Sequence, residues 1–183
     1  VNFSVGVIEK EGVESSFTNE DNKVIWSQEN TEAHFYPVND EDGGFEFEVI
    51  LKEKPVNNIL ELSIQTKALD FFFQPYLTEE EKLSMERNCP ENAEGSYAVY
   101  HKTKTGNYSE IGGKHYMAGK AFHIYRPKII DADGKWAWGK LNIDVDRGIL
   151  SVEIPQSILD NGKYPLIVDP TFGYTTVGTQ TGV

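Results

Sequence analysis

Two stretches of this chain alternate strictly between apolar and polar residues, and that periodicity restricts the fold more than any other feature. In Gly44-Phe-Glu-Phe-Glu-Val-Ile-Leu-Lys52, Phe45, Phe47, Val49 and Leu51 fall on one side while Glu46 and Glu48 fall on the other. In Ile59-Leu-Glu-Leu-Ser-Ile-Gln-Thr66, Leu60, Leu62 and Ile64 oppose Glu61, Ser63 and Gln65. Side chains that point alternately to opposite faces are the mark of a β-strand with one dry side and one wet side. The Pro/Asn turn between the runs, at Lys54, Pro55, Asn57 and Asn58, predicts that these two strands pair antiparallel.

Shorter strand signals lie at residues 3–8, 23–26, 33–36, 96–102, 121–125, 128–131, 136–146 and 149–154, a last strand carries Tyr164, Leu166 and Val168, and the aromatic-rich residues 69–74 suit a buried strand or a turn plugging one end of the core. Asp133-Gly134 and Asp146-Arg147-Gly148 separate strand signals as hairpin turns do. Turns at intervals of roughly ten residues are typical of a sandwich or barrel. At residues 78–87 the pattern changes: Thr78 and Glu81 form a capping pair and Arg87 closes the last turn of a short surface helix. Residues 155–160 are expected to form one further helical turn, with Pro155 near its start and Asn161-Gly162 as the stop. The predicted fold is all-β, an antiparallel β-sandwich of jelly-roll or immunoglobulin-like kind with one short surface helix. Its predicted core is Phe45, Phe47, Val49, Leu60, Leu62, Ile64, Val99, Ile124, Leu141, Ile143, Leu150, Val152, Leu166 and Val168.

Composition supports this reading and narrows the partners. Phe and Tyr dominate an aromatic fraction of 12%, against two Met, and such rings suit half-buried pleated surfaces. The formal charge is −12. Residues 1–50 hold twelve acids against Lys10 and Lys23, a local −10. With no basic stripe, nucleic acid is excluded as an expected partner. No apolar run reaches membrane length, so direct membrane insertion is not expected. Cys89 stands alone, which rules out an internal disulfide. It lacks the His and electropositive setting of a nucleophile.

Few residues have the spacing that chemistry requires. Asp131-Ala-Asp-Gly134 resembles the opening of a calcium loop, making Asp131 and Asp133 the candidate metal ligands, but the same residues form an ordinary hairpin turn. Asn142, Asp144 and Asp146 share one strand face, as paired carboxylates of glycosidases do, and as any wet strand face does. No two of His34, His101, His115 and His123 have the spacing of a local metal pair, which leaves a site assembled in three dimensions from His101, His115 and His123 as the alternative to ordinary surface or packed histidines. Trp136 and Trp138 share a strand face, and Tyr97, Tyr100, Tyr108 and Tyr116 lie around the Gly-rich stretch 105–113. Rings beside Asn, Asp and Lys are how sandwiches hold sugars, although core packing explains two tryptophans as well. The candidate ligand-binding set is therefore Trp136, Trp138, Tyr97 and Asp144, with glycan as the candidate ligand.

The block Ala121-Phe-His-Ile-Tyr-Arg-Pro-Lys-Ile-Ile-Asp-Ala-Asp-Gly-Lys-Trp136, with Ile149-Leu-Ser-Val-Glu-Ile-Pro155 and Tyr164-Pro-Leu-Ile-Val-Asp-Pro-Thr171, resembles a β-module of large bacterial surface, wall-associated and Rhs-type proteins and of viral multidomain proteins. There, a Tyr-Pro-x-x-x-Asp-Pro-Thr phrase closes one β-domain and introduces the next. The resemblance implies a non-catalytic structural or adhesive module of an extracellular, cell-surface or virion protein, its partners being neighbouring domains or subunits. It supplies no catalytic residues and no cofactor. Residues 1–170 are expected to form the sandwich, and the uncharged Gly/Thr-rich residues 171–183 a linker or exchanged strand. A start at Val1 rather than Met is expected of a processed chain or of a piece of a longer polypeptide.

Overall fold

The computed structural model describes residues 3–38, 44–84, 90–102, 106–111 and 114–173, with the side chains of 106–118 and of Val38, Gly44 and Ser84 excepted. Two antiparallel sheets enclose one apolar core, so the expected β-sandwich is the observed architecture. The narrow sheet has four strands, in the order β1 (Phe3–Val7), β6 (Ile59–Thr66), β15 (Ile149–Glu153) and β14 (Lys140–Asp144).

The wide sheet has eleven strands. A meander of β2 (Ser16–Glu20), β3 (Lys23–Gln28), β4 (Thr31–Val38) and β5 (Gly44–Leu51) makes one half. Along the far edge of β5 run β16 (Leu166–Asp169) and then β17 (Phe172–Gly173). Next to these lie β12 (Lys128–Ile130), paired with β16, and β11 (Lys120–Ile124), paired with β17. The sheet then forks: β13 (Trp136–Trp138) flanks β12, while β8 (Tyr97–His101) and β7 (Leu69–Phe73) flank β11. A separate hairpin joins β9 (Gly106–Ile111) to β10 (Lys114–Ala118).

The expected pairing of residues 44–52 with 59–66 is not made. β5 and β6 belong to opposite sheets, and their apolar faces meet across the core through Phe47, Val49, Leu62 and Ile64. Their connection is longer than the roughly two to five residues usual in hairpins. β4 pairs with β5 along its whole length and in the same inward phase, Phe35 opposite Phe47 and Ala33 opposite Val49. Both predicted Asp-Gly and Arg-Gly hairpins do form, linking β12 to β13 and β14 to β15, with Gly134 and Gly148 at φ 80° and 66°.

The predicted strand 136–146 is broken at Gly139, where the chain passes from the wide sheet to the narrow one. A Cβ there would lie 3.0 Å from Val152 Cγ1 and 3.3 Å from Ile129 Cδ1, one side chain from each sheet. Only a residue without a side chain lets the sheets close at this corner without displacing those atoms.

Around the core the prediction holds for most positions. Phe47, Val49, Leu62, Ile64, Val99, Ile124, Leu141, Leu150, Val152, Leu166 and Val168 are buried, Leu60 and Ile143 half-buried. Phe45 is 41% exposed at the margin, stacked on Phe172 with centroids 5.4 Å apart.

The first helix, α1 (Glu79–Ser84), has the predicted capping box: Thr78 N–H donates to Glu81 Oε2 at 2.8 Å and Glu81 N–H donates to Thr78 Oγ1 at 3.2 Å. The helical turn expected at 155–160 is α2 (Gln156–Asn161), with Pro155 as N-cap rather than inside the first turn. It buries Ile158 and Leu159 against the core and ends where Gly162 N–H donates to Ile158 O at 2.8 Å. Sheet pairing extends to Gly173, beyond residue 170. Residues 174–183 and Cys89 lie outside the described residues. Among the described residues no helix is long and apolar enough to cross a membrane.

Candidate ligand-binding face

The β12–β13 register sets which side chains leave the core. Ile129 faces Ala137, and both pack inward, so the flanking pairs Lys128–Trp138 and Ile130–Trp136 point out from the sandwich. Trp136 is 47% exposed and Trp138 half-buried, with their rings 5.1 Å apart at 74°. Two cations lie on them diagonally. Lys128 Nζ is 4.4 Å from the Trp136 centroid; the Arg126 guanidinium is 5.2 Å from Trp138 and 4.8 Å from Tyr76. Arg126 Nε donates to Gly139 O at 3.3 Å, tying the guanidinium to the corner where the chain changes sheets. The outcome is a ring-and-cation ladder, Trp136, Lys128, Trp138, Arg126, Tyr76, along one end of the wide sheet.

Two local devices hold the ladder. Gly95 has φ 72°, and a Cβ there would come within 2.5 Å of the Tyr76 hydroxyl, so glycine is what admits the Tyr76 ring against this turn. Asp131, 4% exposed, fixes the hairpin: its Oδ1 accepts from the N–H groups of Asp133 (3.0 Å) and Lys135 (2.8 Å), and its Oδ2 from Lys163 N–H (3.2 Å). Burial pushes this carboxyl up, but the three N–H donors and the Lys135 charge outweigh it and hold it below the usual carboxylate range. Its partner in the expected calcium pair, Asp133, is ion-paired with Lys163 at 2.9 Å. A calcium loop aims oxygen lone pairs at a common point. Here the Asp131 oxygens face backbone donors, the environment of a buried anion, and the two aspartates serve the turn. Among the described residues no group of three or more His, Cys, Asp or Glu is placed to hold a metal ion.

The remaining candidates are placed apart from the tryptophans. Tyr97 is 9% exposed, packs edge-on against Phe73 at 5.3 Å, and its hydroxyl, pushed up by burial, accepts from Ile143 N–H at 3.3 Å. That bond caps the open edge of β14 and ties the two sheets together. Asp144 Oδ1 accepts from Arg147 N–H at 3.0 Å as part of the β14–β15 turn. Neither reaches the ladder, although Tyr97 is linked to it through Phe73 and Tyr76. The side chains of Tyr108, His115 and Tyr116 lie outside the described residues. Arg126 and Lys128 were not among the sequence-derived candidates; a two-residue Asp133-Gly134 turn would have set Lys128 opposite Gly139, whereas the observed register, centred on Asp133, sets it opposite Trp138. Tyr76 comes from a loop after β7, and nothing in the local sequence connects it with Arg126.

A second polar group is sealed inside. Ser96 Oγ donates to Ala93 O and lies 2.6 Å from His123 Nε2, with both residues at 0% exposure. With the only hydroxyl hydrogen given to Ala93 O, Nε2–H is the donor to Ser96, and Nδ1 is left buried without a partner among the described residues. Burial, with a smaller contribution from the Lys120 charge, lowers the imidazole to about 3. A Ser–His contact of this length occurs in nucleophilic enzymes, but a pair with no exposed surface offers a substrate no approach. On the outer face beyond the ladder, Asp169 opposes Lys128 across the strands, and burial and then Glu48 raise its carboxyl. Compared with known protein families, with curated proteins and with solved structures, the chain matches none.

Proposed function

We propose that this chain is a non-catalytic structural or adhesive β-sandwich module of a larger extracellular or virion-surface protein, attaching to a saccharide through the ladder. The observation that carries this reading is the outward-facing Trp136–Trp138 pair, held by Lys128 and Arg126 on a rigid hairpin. Exposed rings next to forked N–H donors supply stacking for a pyranose face and hydrogen bonds for its substituents. Hydrolysis gains no support from Asp144, whose carboxylate caps a turn, whereas glycosidases flank the scissile bond with two free carboxyls. The test is a polysaccharide panel with two readouts, retention of the domain and release of reducing ends. Retention without release is expected. Release that disappears in Asp144→Asn would overturn the non-catalytic reading.

A further inference from the structure

We infer that the ladder selects carboxylate-bearing saccharides, of the uronic or sialic acid class; this rests on the saccharide reading above. Some of the charges around the ladder are already neutralised. Residues 121–140 carry Arg126, Lys128, Lys135 and Lys140 against Asp131 and Asp133. Asp131 is occupied by backbone N–H groups, Asp133 by Lys163, and Lys140 by Glu153 at 3.2 Å. Among the described residues, Arg126, Lys128 and Lys135 have no carboxylate within 4.0 Å. In a chain of net charge −12, three cations with no ion-pair partner among the described residues therefore border the two tryptophans, with Asp169 across from Lys128 and Glu94, which is paired with Lys82, against the loop that carries Tyr76.

The Arg126 end carries the selectivity. Its guanidinium lies between the Tyr76 and Trp138 rings and uses Nε on Gly139 O, so its terminal amino groups have no acceptor among the described residues. A guanidinium fork pre-set between rings matches a planar carboxylate bidentately, and a lysine ammonium does not. Lys128 contributes less, because Asp169 lies opposite it on β16. A sugar stacked on the tryptophans would therefore place its carboxylate toward Arg126 and its neutral hydroxyls toward Lys128.

The experiment is an array of uronate- and sialate-bearing oligosaccharides, each paired with its carboxyl-reduced form, probed with the wild-type chain, Arg126→Gln and Arg126→Lys, with poly-glutamate as competitor. Near-ultraviolet circular dichroism confirms that the variants are folded. Expected is a preference of about tenfold or more for the carboxylate form, removed by Arg126→Gln, not restored by Arg126→Lys, and weakened by salt. Equal binding of both forms would overturn the charge selectivity and leave saccharide binding standing. Binding of no saccharide, or displacement by poly-glutamate as effective as by the sugar itself, would overturn both.

Discussion

Replacing Phe47 with alanine is expected to lower the free energy of unfolding by about 3–5 kcal/mol, the range for truncating a fully buried aromatic ring. Phe47 is 0% exposed at the middle of β5, with its ring 4.6 Å from Phe35 of β4. β5 is paired on both edges, and its inward face meets the narrow sheet through the common core. Phe45→Ala, two residues earlier on the same face, removes a ring that is 41% exposed and stacked on Phe172, at an expected cost of about 1–2 kcal/mol. Urea denaturation of both variants measures the contrast. Equal losses would mean that Phe47 is not buried between the two sheets as described.

Acid is expected to destabilise the domain through His123. In the unfolded chain this imidazole takes up a proton near pH 6.5, while in the folded protein burial, and then Lys120, keep it neutral down to about 3. Between those values the unfolded state binds more protons, so stability falls as pH falls, by roughly 1.4 kcal/mol per pH unit for this group. The stability due to a neutral His123 is complete above pH 6.5 and lost on the way down to pH 3. Carboxylates titrate in the lower part of this window too, so the informative quantity is the difference between wild type and His123→Phe. That variant keeps an aromatic ring, somewhat larger than the imidazole, removes the Nδ1 that has no partner among the described residues, and leaves Ser96 its bond to Ala93 O; the cost of the larger ring does not vary with pH and drops out of the comparison. The stability difference between the two proteins should move in favour of His123→Phe from pH 6.5 to pH 4.5, measured by denaturation at each pH. A constant difference would mean that water reaches the imidazole.

The fold was legible where side-chain period and turn chemistry agree. Alternation at 44–52 and 59–66 identified two strands and their inward faces, and the Gly134 and Gly148 turns identified two hairpins. Layer assignment was not legible, because period 2 says which face is dry and not which sheet the strand joins; hence the mistaken pairing of β5 with β6. β2 was missed because all its residues are exposed, and no apolar alternation is needed on a strand that buries nothing. Gly139 broke the strand expected over 136–146 through a close approach of the two sheets, a contact no local pattern encodes.

The candidate site divided along the same lines. The tryptophan pair could be read because both residues sit in one short strand beside a recognisable turn. Their orientation could not, since Trp-Ala-Trp suits either face, and the inward packing of Ile129 and Ala137 decided it. Asp131 and Asp144 carried the residue types of chemistry, but the backbone N–H groups around them are visible only in three dimensions.

The most direct measurement compares the wild-type chain with the Trp136→Ala/Trp138→Ala double variant on one glycan array. Both rings face outward on an edge hairpin, so the variant should remain folded by near-ultraviolet circular dichroism. The expected result is saccharide binding by the wild type and its loss in the folded variant. An unchanged pattern in the variant, or binding by neither protein, would contradict a role for the ladder as the working surface of this domain.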